Sequence, residues 1–307
     1  MHVFIRKMFV FLSVVLFGFS VSASGISETQ TLSGTTETKK PMIMVSILPQ
    51  QYFVEQIAGD LVDHVVLVGE GQSPHTYEPT PNQMAQLAQA DVWILSGTDF
   101  EIALEPKIRS LYPKLLVIDG TDGVTFRSLE NHSHEGEEDH DHADEIGIDR
   151  HTWLGKDAAL VMSKHIKEAL ISLLPLDNEV IESNYQNLVS AVETEFSNLE
   201  ELLLPLQGRT VFVYHPAFGY FLDEFGIVQE AVETGGKEPT AKTLSALIEM
   251  AKEDNAAAVF VQKQFPVATA TTVAQAIGAQ VIGLDPLASN WLENIRIMGE
   301  ALVSALN

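Results

Sequence analysis

The 307-residue sequence contains no cysteine, so disulfide bonds are excluded. Attachment to a membrane through a lipidated N-terminal cysteine is excluded for the same reason, and the protein is predicted not to be a lipoprotein. Basic residues are also scarce, because 18 Lys and Arg stand against 42 Asp and Glu, giving a formal net charge of −24. Such a surface repels nucleic acid and anionic lipid and attracts cations.

Long apolar runs are missing as well, apart from a segment at the start of the chain. Arg6 and Lys7 precede an apolar run at 9–21, and Val21-Ser22-Ala23 has the small residues of a cleavage site. The run is shorter than the roughly 20 residues that span a bilayer, so residues 1–23 are predicted to be a cleaved signal peptide, with an uncleaved anchor as the alternative. We expect a protein exported to a bacterial periplasm, with no other segment inserted in the membrane.

The longest helical pattern runs from residue 177 to residue 204 and divides the chain. Apolar residues recur in it every three or four positions: Ile181, Tyr185, Leu188, Val192, Phe196, Leu199 and Leu203. This spacing predicts an amphipathic helix, which Asp177 can cap and Pro205 ends. At about 1.5 Å per residue the helix is roughly 40 Å long, so we interpret it as a spine joining two domains. A two-stranded coiled coil is the alternative.

Strand-like apolar runs alternate with helical patterns on both sides of this spine. Predicted strands lie at 42–48, 64–68, 92–96 and 115–118, and again at 210–214, 227–232, 257–261 and 280–284. Predicted helices lie between or after them, at 50–58, 82–89, 100–111, 218–225, 244–252, 267–277 and 291–306. The predicted fold is therefore α/β, with a mainly parallel sheet flanked by helices in each half. The predicted parts are a disordered leader at 24–40, an N-terminal lobe at 41–176, the spine helix at 177–204 and a C-terminal lobe at 205–307.

Four potential metal ligands fall on predicted loops, two from each half. His75 lies in a turn after the strand that ends at Val68, His151 precedes a helical run, His215 directly follows one strand and Asp285 another. The carboxyl ends of parallel strands are where such folds bind ligands. Three imidazoles and one carboxylate suit a tetrahedral zinc ion. Any one of them alone could instead be a turn residue, a cap or a buried hydrogen-bonding group.

Two other histidines and two tryptophans are predicted to have structural roles. His64 lies in a predicted strand and His165 in a predicted helix with apolar neighbours, and Trp153 and Trp291 suit packing rather than chemistry.

Four motifs in this order resemble the metal-binding proteins of bacterial ABC importers for zinc and manganese, the ZnuA-like or cluster A-I solute-binding family. The resemblance extends from about residue 41 to the C-terminus, and its anchors are Pro74-His75-Thr76-Tyr77-Glu78-Pro79, His151-Thr152-Trp153-Leu154, His215-Pro216-Ala217-Phe218-Gly219-Tyr220-Phe221 and Asp285-Pro286-Leu287. It implies that His75, His151, His215 and Asp285 bind the metal and that a long helix joins two lobes. Because the manganese branch has a carboxylate at the position of His215, the resemblance favours zinc.

The sequence departs from the family pattern at three places. Arg150 stands where proline often precedes the second histidine, and we expect its guanidinium to turn toward an acid, away from the metal. Ser73 replaces an acidic residue before the first-motif proline, and Gly155-Lys156 replaces an acidic or proline pair.

A low-complexity polar segment at 131–144 lies between the first two motifs. It carries His132, His134, His140 and His142 among acidic residues, and its composition predicts a mobile loop. Histidine and carboxylate pairs in such a loop could form a weak secondary zinc site; a plain solvated acidic loop is the alternative. Zinc-type members of the family often carry a loop of this kind.

The sequence thus predicts a monomeric periplasmic protein that captures zinc and delivers it to an ABC permease, and it predicts no enzyme. A manganese-binding protein of the same importer type is one alternative, and a periplasmic metal store without a permease partner is another. A zinc hydrolase is disfavoured because a catalytic zinc needs a general base beside it. No His-Glu-x-x-His helix is present, and Glu78, which is close to His75, has a structural setting.

Overall fold

The computed structural model describes residues 39–129, 147–233, 240–254, 256, 258–264 and 267–306. The predicted signal peptide, most of the predicted leader and the histidine-rich segment at 131–144 lie outside the described residues. In the described part of the chain, none of the helices combines the length and apolar character needed to cross a membrane.

The N-terminal lobe is built on a four-stranded parallel sheet in the order β2-β1-β3-β4. The strands are β1 (Met42–Ile47), β2 (Asp63–Val68), β3 (Val92–Leu95) and β4 (Leu116–Asp119), and the helices are α1 (Leu48–Ala58), α2 (Pro81–Leu87) and α3 (Asp99–Leu111). The first helix begins inside the predicted first strand, because Gln50 Oε1 accepts hydrogen bonds from the backbone N–H of Ser46 and Ile47 and fixes the turn there. The other bounds agree with the sequence prediction to within about two residues, as expected for helix and strand ends.

The predicted spine is a single helix, α5 (Asn178–Leu203), preceded by α4 (Lys156–Leu173). All the apolar residues of its predicted stripe are buried except Tyr185, which is partly buried. The helix contacts α1 and α4 on the N-terminal side and the last helix of the chain on the other. That last contact is close, since a Cβ atom on Gly299 would lie 2.4 Å from Leu199 Cδ2.

The C-terminal lobe repeats the topology of the first lobe, with a parallel sheet in the order β6-β5-β7-β8. Its strands are β5 (Thr210–Val213), β6 (Val228–Ala231), β7 (Ala258–Gln262) and β8 (Gln280–Leu284). Its helices are α6 (Gly219–Asp223), α7 (Ala241–Glu253), α8 (Val267–Ile277) and α9 (Trp291–Leu306). The predicted α/β class with two parallel sheets is confirmed, and β8, α8 and α9 have the predicted bounds.

Two tryptophans form hydrogen bonds between the lobes, in addition to the contacts of the spine. Trp153 Nε1 donates to Pro286 O at 2.7 Å, and Trp291 Nε1 donates to Trp153 O at 2.7 Å. Both indoles are almost completely buried, so the prediction that they serve packing is confirmed.

Candidate metal centre

Loops at one edge of each sheet bring three histidines to a common point. His75 follows β2, His215 lies two residues beyond the end of β5, and His151 comes just before α4. Because parallel strands end at the same edge of a sheet, the two strand-end loops present their side chains on the same side of the molecule. Two of the imidazoles therefore come from the chain before the spine and one from the chain after it.

The three imidazoles are close enough to share one metal ion. One ring nitrogen from each lies within 4.8 Å of the other two, and His75 Nε2 lies 3.1 Å from His215 Nε2. The ring centroids are 4.9 to 5.4 Å apart. Among the described residues this is the single cluster of metal-ligating side chains that meets such a criterion. The structure thus brings together three of the four residues predicted from the sequence.

Each imidazole is oriented by its own carboxylate. His75 Nδ1 donates to Asp99 at 2.7 Å, His151 Nδ1 to Asp149 at 2.8 Å, and His215 Nδ1 to Glu233 at 2.5 Å. With Nδ1 carrying the proton, Nε2 keeps its lone pair and faces the other rings. Carboxylate partners of this kind fix the tautomer and raise the basicity of a metal-binding histidine.

Asp99 is held from two sides at the start of α3. The hydrogen bond from His75 lowers the pKa of this carboxyl, and Arg150 Nε lies 3.0 Å from its other oxygen. Arg150 also donates to Gly97 O at 3.1 Å. Gly97 has a φ of +81°, a conformation that favours glycine, and it turns the chain from β3 into this loop. The expectation that Arg150 turns toward an acid is confirmed.

Asp149 is buried between His151 and Arg127. Burial by itself would raise the pKa of this carboxyl, but hydrogen bonds from His151 and from Arg127 Nη1 at 2.9 Å outweigh it, so the pKa is lowered. Arg127 Nε also pairs with Asp223 of α6 at 2.9 Å, and Tyr220 Oη donates to Asp149 O at 2.9 Å. Both contacts fasten the orienting group of His151 to the C-terminal lobe.

Small residues are needed beside this cluster. A Cβ atom on Gly219 would lie 1.8 Å from Arg127 Nη1, and one on Gly155 would lie 3.0 Å from Tyr220 Cβ. The glycine at position 155, a departure from the family pattern, therefore accommodates the tyrosine of α6.

His215, which the C-terminal side contributes to the cluster, is held by a neighbouring glutamine. Its backbone N–H donates to Gln262 Oε1 at 3.3 Å, and Gln262 Nε2 donates to its carbonyl at 2.5 Å. Burial lowers the pKa of His215, against the opposing effect of Glu233. The imidazole therefore stays neutral, which is the form that binds metal.

Two cavities with several lining residues in common adjoin the three rings. An outer cavity of about 640 Å³ opens toward solvent and has Leu129, Ile148 and Arg150 in its wall. An inner space of about 20 Å³ is lined by the histidines together with Trp153, Leu287 and other residues. Such a space accommodates about one ion or one water molecule.

Residues 43–305 match the family described as ZnuA, zinc-uptake complex component A, periplasmic. The chain belongs to this family.

Individual members are moderately similar to it. A solved structure of a ZnuA deletion mutant with zinc bound is 34% identical, with a TM-score of 0.79, and the match covers 87% of this chain and 98% of that one. The high-affinity zinc uptake system protein ZnuA of Yersinia pestis is 27% identical over 264 residues, covering 80% of this chain and 83% of that protein. The zinc-binding lipoprotein AdcA of Streptococcus pneumoniae is also 27% identical, and its match covers 86% of this chain but 53% of AdcA, so this chain spans about half of that relative.

The fourth residue implied by the family resemblance, Asp285, is not part of the histidine cluster. Its Oδ1 accepts hydrogen bonds from the backbone N–H of Leu287 at 3.0 Å and from Gln264 Nε2 at 3.2 Å, and its Oδ2 lies 3.2 Å from Lys263 Nζ. Both carboxylate oxygens are thus engaged by this chain's own donors.

The remaining histidines fall where the sequence placed them. His64 Nε2 lies 3.2 Å from Glu55, and His165 Nε2 donates to Asp122 O at 2.8 Å. Neither belongs to the metal-ligating cluster, as predicted. The proposed secondary site of His132, His134, His140 and His142 lies outside the described residues and stays a prediction.

The three carboxylates that bond to the imidazoles were not predicted from the sequence. Asp99 follows β3 and Glu233 follows β6, and both therefore lie at the same sheet edges as the ligands. Asp149 stands two residues before His151. A search for acids directly after predicted strands, or next to a candidate ligand, would have found them.

Proposed function

We propose that this protein captures zinc in the cleft between its two lobes and delivers it to the membrane permease of an ABC importer. The convergence of three imidazoles, each fixed by a carboxylate on Nδ1, is the observation that supports this function best. Imidazole nitrogen is a good ligand for zinc. The three outer carboxylates add negative charge around a dication without contacting it.

The names of related proteins support the same cargo. Relatives of similar length are named for high-affinity zinc uptake, and a solved structure of one at 34% identity contains zinc. Manganese prefers ligand sets with more oxygen atoms, whereas the three side chains of this cluster offer imidazole nitrogens.

A role in binding also fits the carboxylates better than a role in catalysis. Asp99, Asp149 and Glu233 each bond to an imidazole, so they are engaged in orienting ligands. A hydrolytic zinc site needs a free general base within reach of the attacking water. We therefore propose that the protein is a carrier. We also propose that it is exported to the periplasm, acts as a monomer and inserts no segment of its own into the membrane.

Competition titration of the metal-free protein with zinc and manganese tests the cargo. We expect one tight zinc site per molecule and weaker manganese binding. Substitution of His64 by Ala is a matched control, because His64 is a histidine of the same lobe outside the cluster. Equal loss of zinc binding in His64→Ala and His75→Ala would contradict the proposed site.

Growth under zinc limitation tests delivery. A host strain that lacks this gene should accumulate less zinc, and the wild-type gene should restore uptake whereas His151→Ala should not. A metal store without a permease partner would bind zinc in the titration yet leave uptake unchanged, and that result would overturn the transport proposal.

A further inference from the structure

The inner space beside the three histidines has few polar side chains in its wall. Besides the imidazoles these are Ser73, Gln262 and Gln264. Ser73 Oγ accepts a hydrogen bond from the backbone N–H of His75 at 3.4 Å, and the Gln262 amide is paired with the backbone of His215 through both of its ends. Gln264 is the remaining polar group.

The amide of Gln264 is bonded through one end only. Its Nε2 donates to Asp285 Oδ1 at 3.2 Å, whereas its Oε1 is buried and has no hydrogen-bond partner among the described residues. A carboxylate accepts hydrogen bonds and cannot donate one when it is ionised, so the nitrogen must face Asp285 and the oxygen the other way. A buried acceptor without a partner costs about 1–3 kcal/mol, so a bound group that satisfies this oxygen would be stabilised by it.

We propose that Gln264 Oε1 is the fourth protein contact of the bound zinc ion, and that Asp285 positions this amide and does not bind the metal itself. The inference rests on the proposed zinc-binding function and extends it. Three imidazoles and one neutral amide oxygen complete a four-coordinate site. The ion then keeps its full charge within the ligand set, and the outer carboxylates Asp99, Asp149 and Glu233 balance it.

The setting of Asp285 supports the positioning role. Its two oxygens are already held by Lys263, Gln264 and the backbone of Leu287, and its carbonyl accepts a hydrogen bond from Asn294 Nδ2 at 2.7 Å. To reach a metal, this carboxylate would have to break an ion pair and two hydrogen bonds. Gln264 links Asp285 to the histidine cluster. Its side chain lines both cavities beside the rings and also bonds to Asp285.

The test compares zinc affinity in Gln264→Met and Asp285→Asn. Methionine keeps the length of glutamine but loses the amide oxygen, so we expect zinc affinity to fall by at least the roughly 10- to 100-fold seen when an outer partner of a metal ligand is removed. Asparagine at position 285 keeps an oxygen that can accept from Gln264 Nε2 but loses the charge that pairs with Lys263, so we expect a smaller loss of affinity than in Gln264→Met. The double variant should bind zinc like Gln264→Met alone.

Two further measurements separate a contact from a general loss of structure. The visible absorption bands of bound Co²⁺, which report ligand number and geometry, should change in Gln264→Met and stay unchanged in Asp285→Asn. Lys263→Met is the matched control, because it removes a partner of the same carboxylate on its other oxygen and should leave both affinity and spectrum unchanged. Thermal unfolding of the metal-free variants checks that each is folded.

A folded Gln264→Met variant with wild-type zinc affinity and a wild-type cobalt spectrum would overturn the proposal. A loss in Asp285→Asn as large as that in His215→Ala would overturn it as well, since Asp285 would then be the fourth ligand. Failure of the proposed function looks different, because the wild type would then bind no zinc and His215→Ala would change nothing.

Discussion

The two lobes share one strand order but bury their sheets in different ways. One continuous core includes the N-terminal sheet, the spine helix and one face of the C-terminal sheet, to which β5 contributes Val211 and Val213. The other face of the C-terminal sheet, with Phe212 of β5 and Tyr214 directly after this strand, packs against α7 and α8 in a separate and smaller core. The alternation of side chains along β5 therefore assigns successive residues to two cores. The spine connects the lobes through one core, whereas the α7–α8 layer depends on the C-terminal lobe alone.

The ligands show a parallel difference. The side chains of His75 and Asp99 in the N-terminal lobe are 30% and 45% exposed, whereas those of His215 and Glu233 in the C-terminal lobe are 10% and 3% exposed. Water competes with the first pair and is excluded from the second, so the second hydrogen bond has the greater electrostatic strength. The side chains of His151 and Asp149, also from the chain before the spine, are 7% and 0% exposed. The contrast therefore separates His75 from the other two histidines, and we infer an entry side at His75 and a holding side at His151 and His215.

Removing a large side chain from the shared core should have the largest effect. Phe196 of the spine is buried and stacks on Phe225 and Trp291, so Phe196→Ala should lower the free energy of unfolding by about 3–5 kcal/mol. Val273→Ala in the separate core is the comparison, with a smaller expected loss because fewer atoms are removed. Urea unfolding followed by tryptophan fluorescence measures both. Equal losses of unfolding free energy would mean that the packing around Phe196 in the shared core stabilises the protein no more than the packing around Val273 in the separate core.

The next largest effect concerns His215 itself. His215→Ala removes a nitrogen ligand, so zinc affinity should fall by more than the roughly 10–100-fold typical of a supporting residue. His215→Glu should lose less zinc affinity and narrow the preference for zinc over manganese, because a carboxylate makes the site richer in oxygen. Competition titration with both metals measures these changes, and circular dichroism checks the fold. Wild-type affinity for both ions in folded His215→Glu would show that His215 is not a ligand.

A pair of matched substitutions compares the two orienting carboxylates. Glu233→Gln removes the charge from the buried pair and should reduce zinc affinity about 10- to 100-fold. Asp99→Asn removes the charge from the exposed pair and should reduce it less, because water screens that interaction. Calorimetric titration at one pH measures both variants. A larger loss in Asp99→Asn would reverse the proposed assignment of entry and holding sides.

The parts of the fold that were predictable from the sequence are those set by local pattern. The stripe from Ile181 to Leu203 predicted the spine because helical period and capping residues are local signals. The three clustered histidines were predictable because each lies in a recognisable local motif, two of them after a strand and His151 before a helix. The partners of the carboxylates and of Gln264 were not predictable, because position after a strand marks a candidate acid but only the folded sheet shows which side chain it meets. Asp99 and His75, 24 residues apart, become partners only when β1 brings β2 and β3 into one sheet.

Glu101 in α3 offers a smaller and pH-dependent effect that is confined to the N-terminal lobe. Burial raises its pKa to about 7, because desolvation outweighs the hydrogen bonds that it accepts from Ser46, Ser96 and Thr98. The folded state therefore holds a proton between pH 4.5 and 7 that the unfolded state has released. A group of this kind contributes stability that is fully present below pH 4.5 and is lost as the pH rises through 7, with a slope of at most about 1.4 kcal/mol per pH unit.

Glu101→Gln should remove that slope, since an amide does not titrate. His215 has a lowered pKa and acts in the opposite direction below pH 6.5, so the informative quantity is the difference in unfolding free energy between variant and wild type from pH 5 to 7.5. We expect this difference in unfolding free energy to shift in favour of the variant as the pH rises. At low pH the variant should be the less stable of the two, because its NH₂ group replaces an oxygen that accepts from Thr98 N. Glu201→Gln on the exposed face of the spine is the control and should show no such trend. Parallel pH profiles for wild type and Glu101→Gln would mean that Glu101 stays ionised when buried, held by its hydrogen bonds alone.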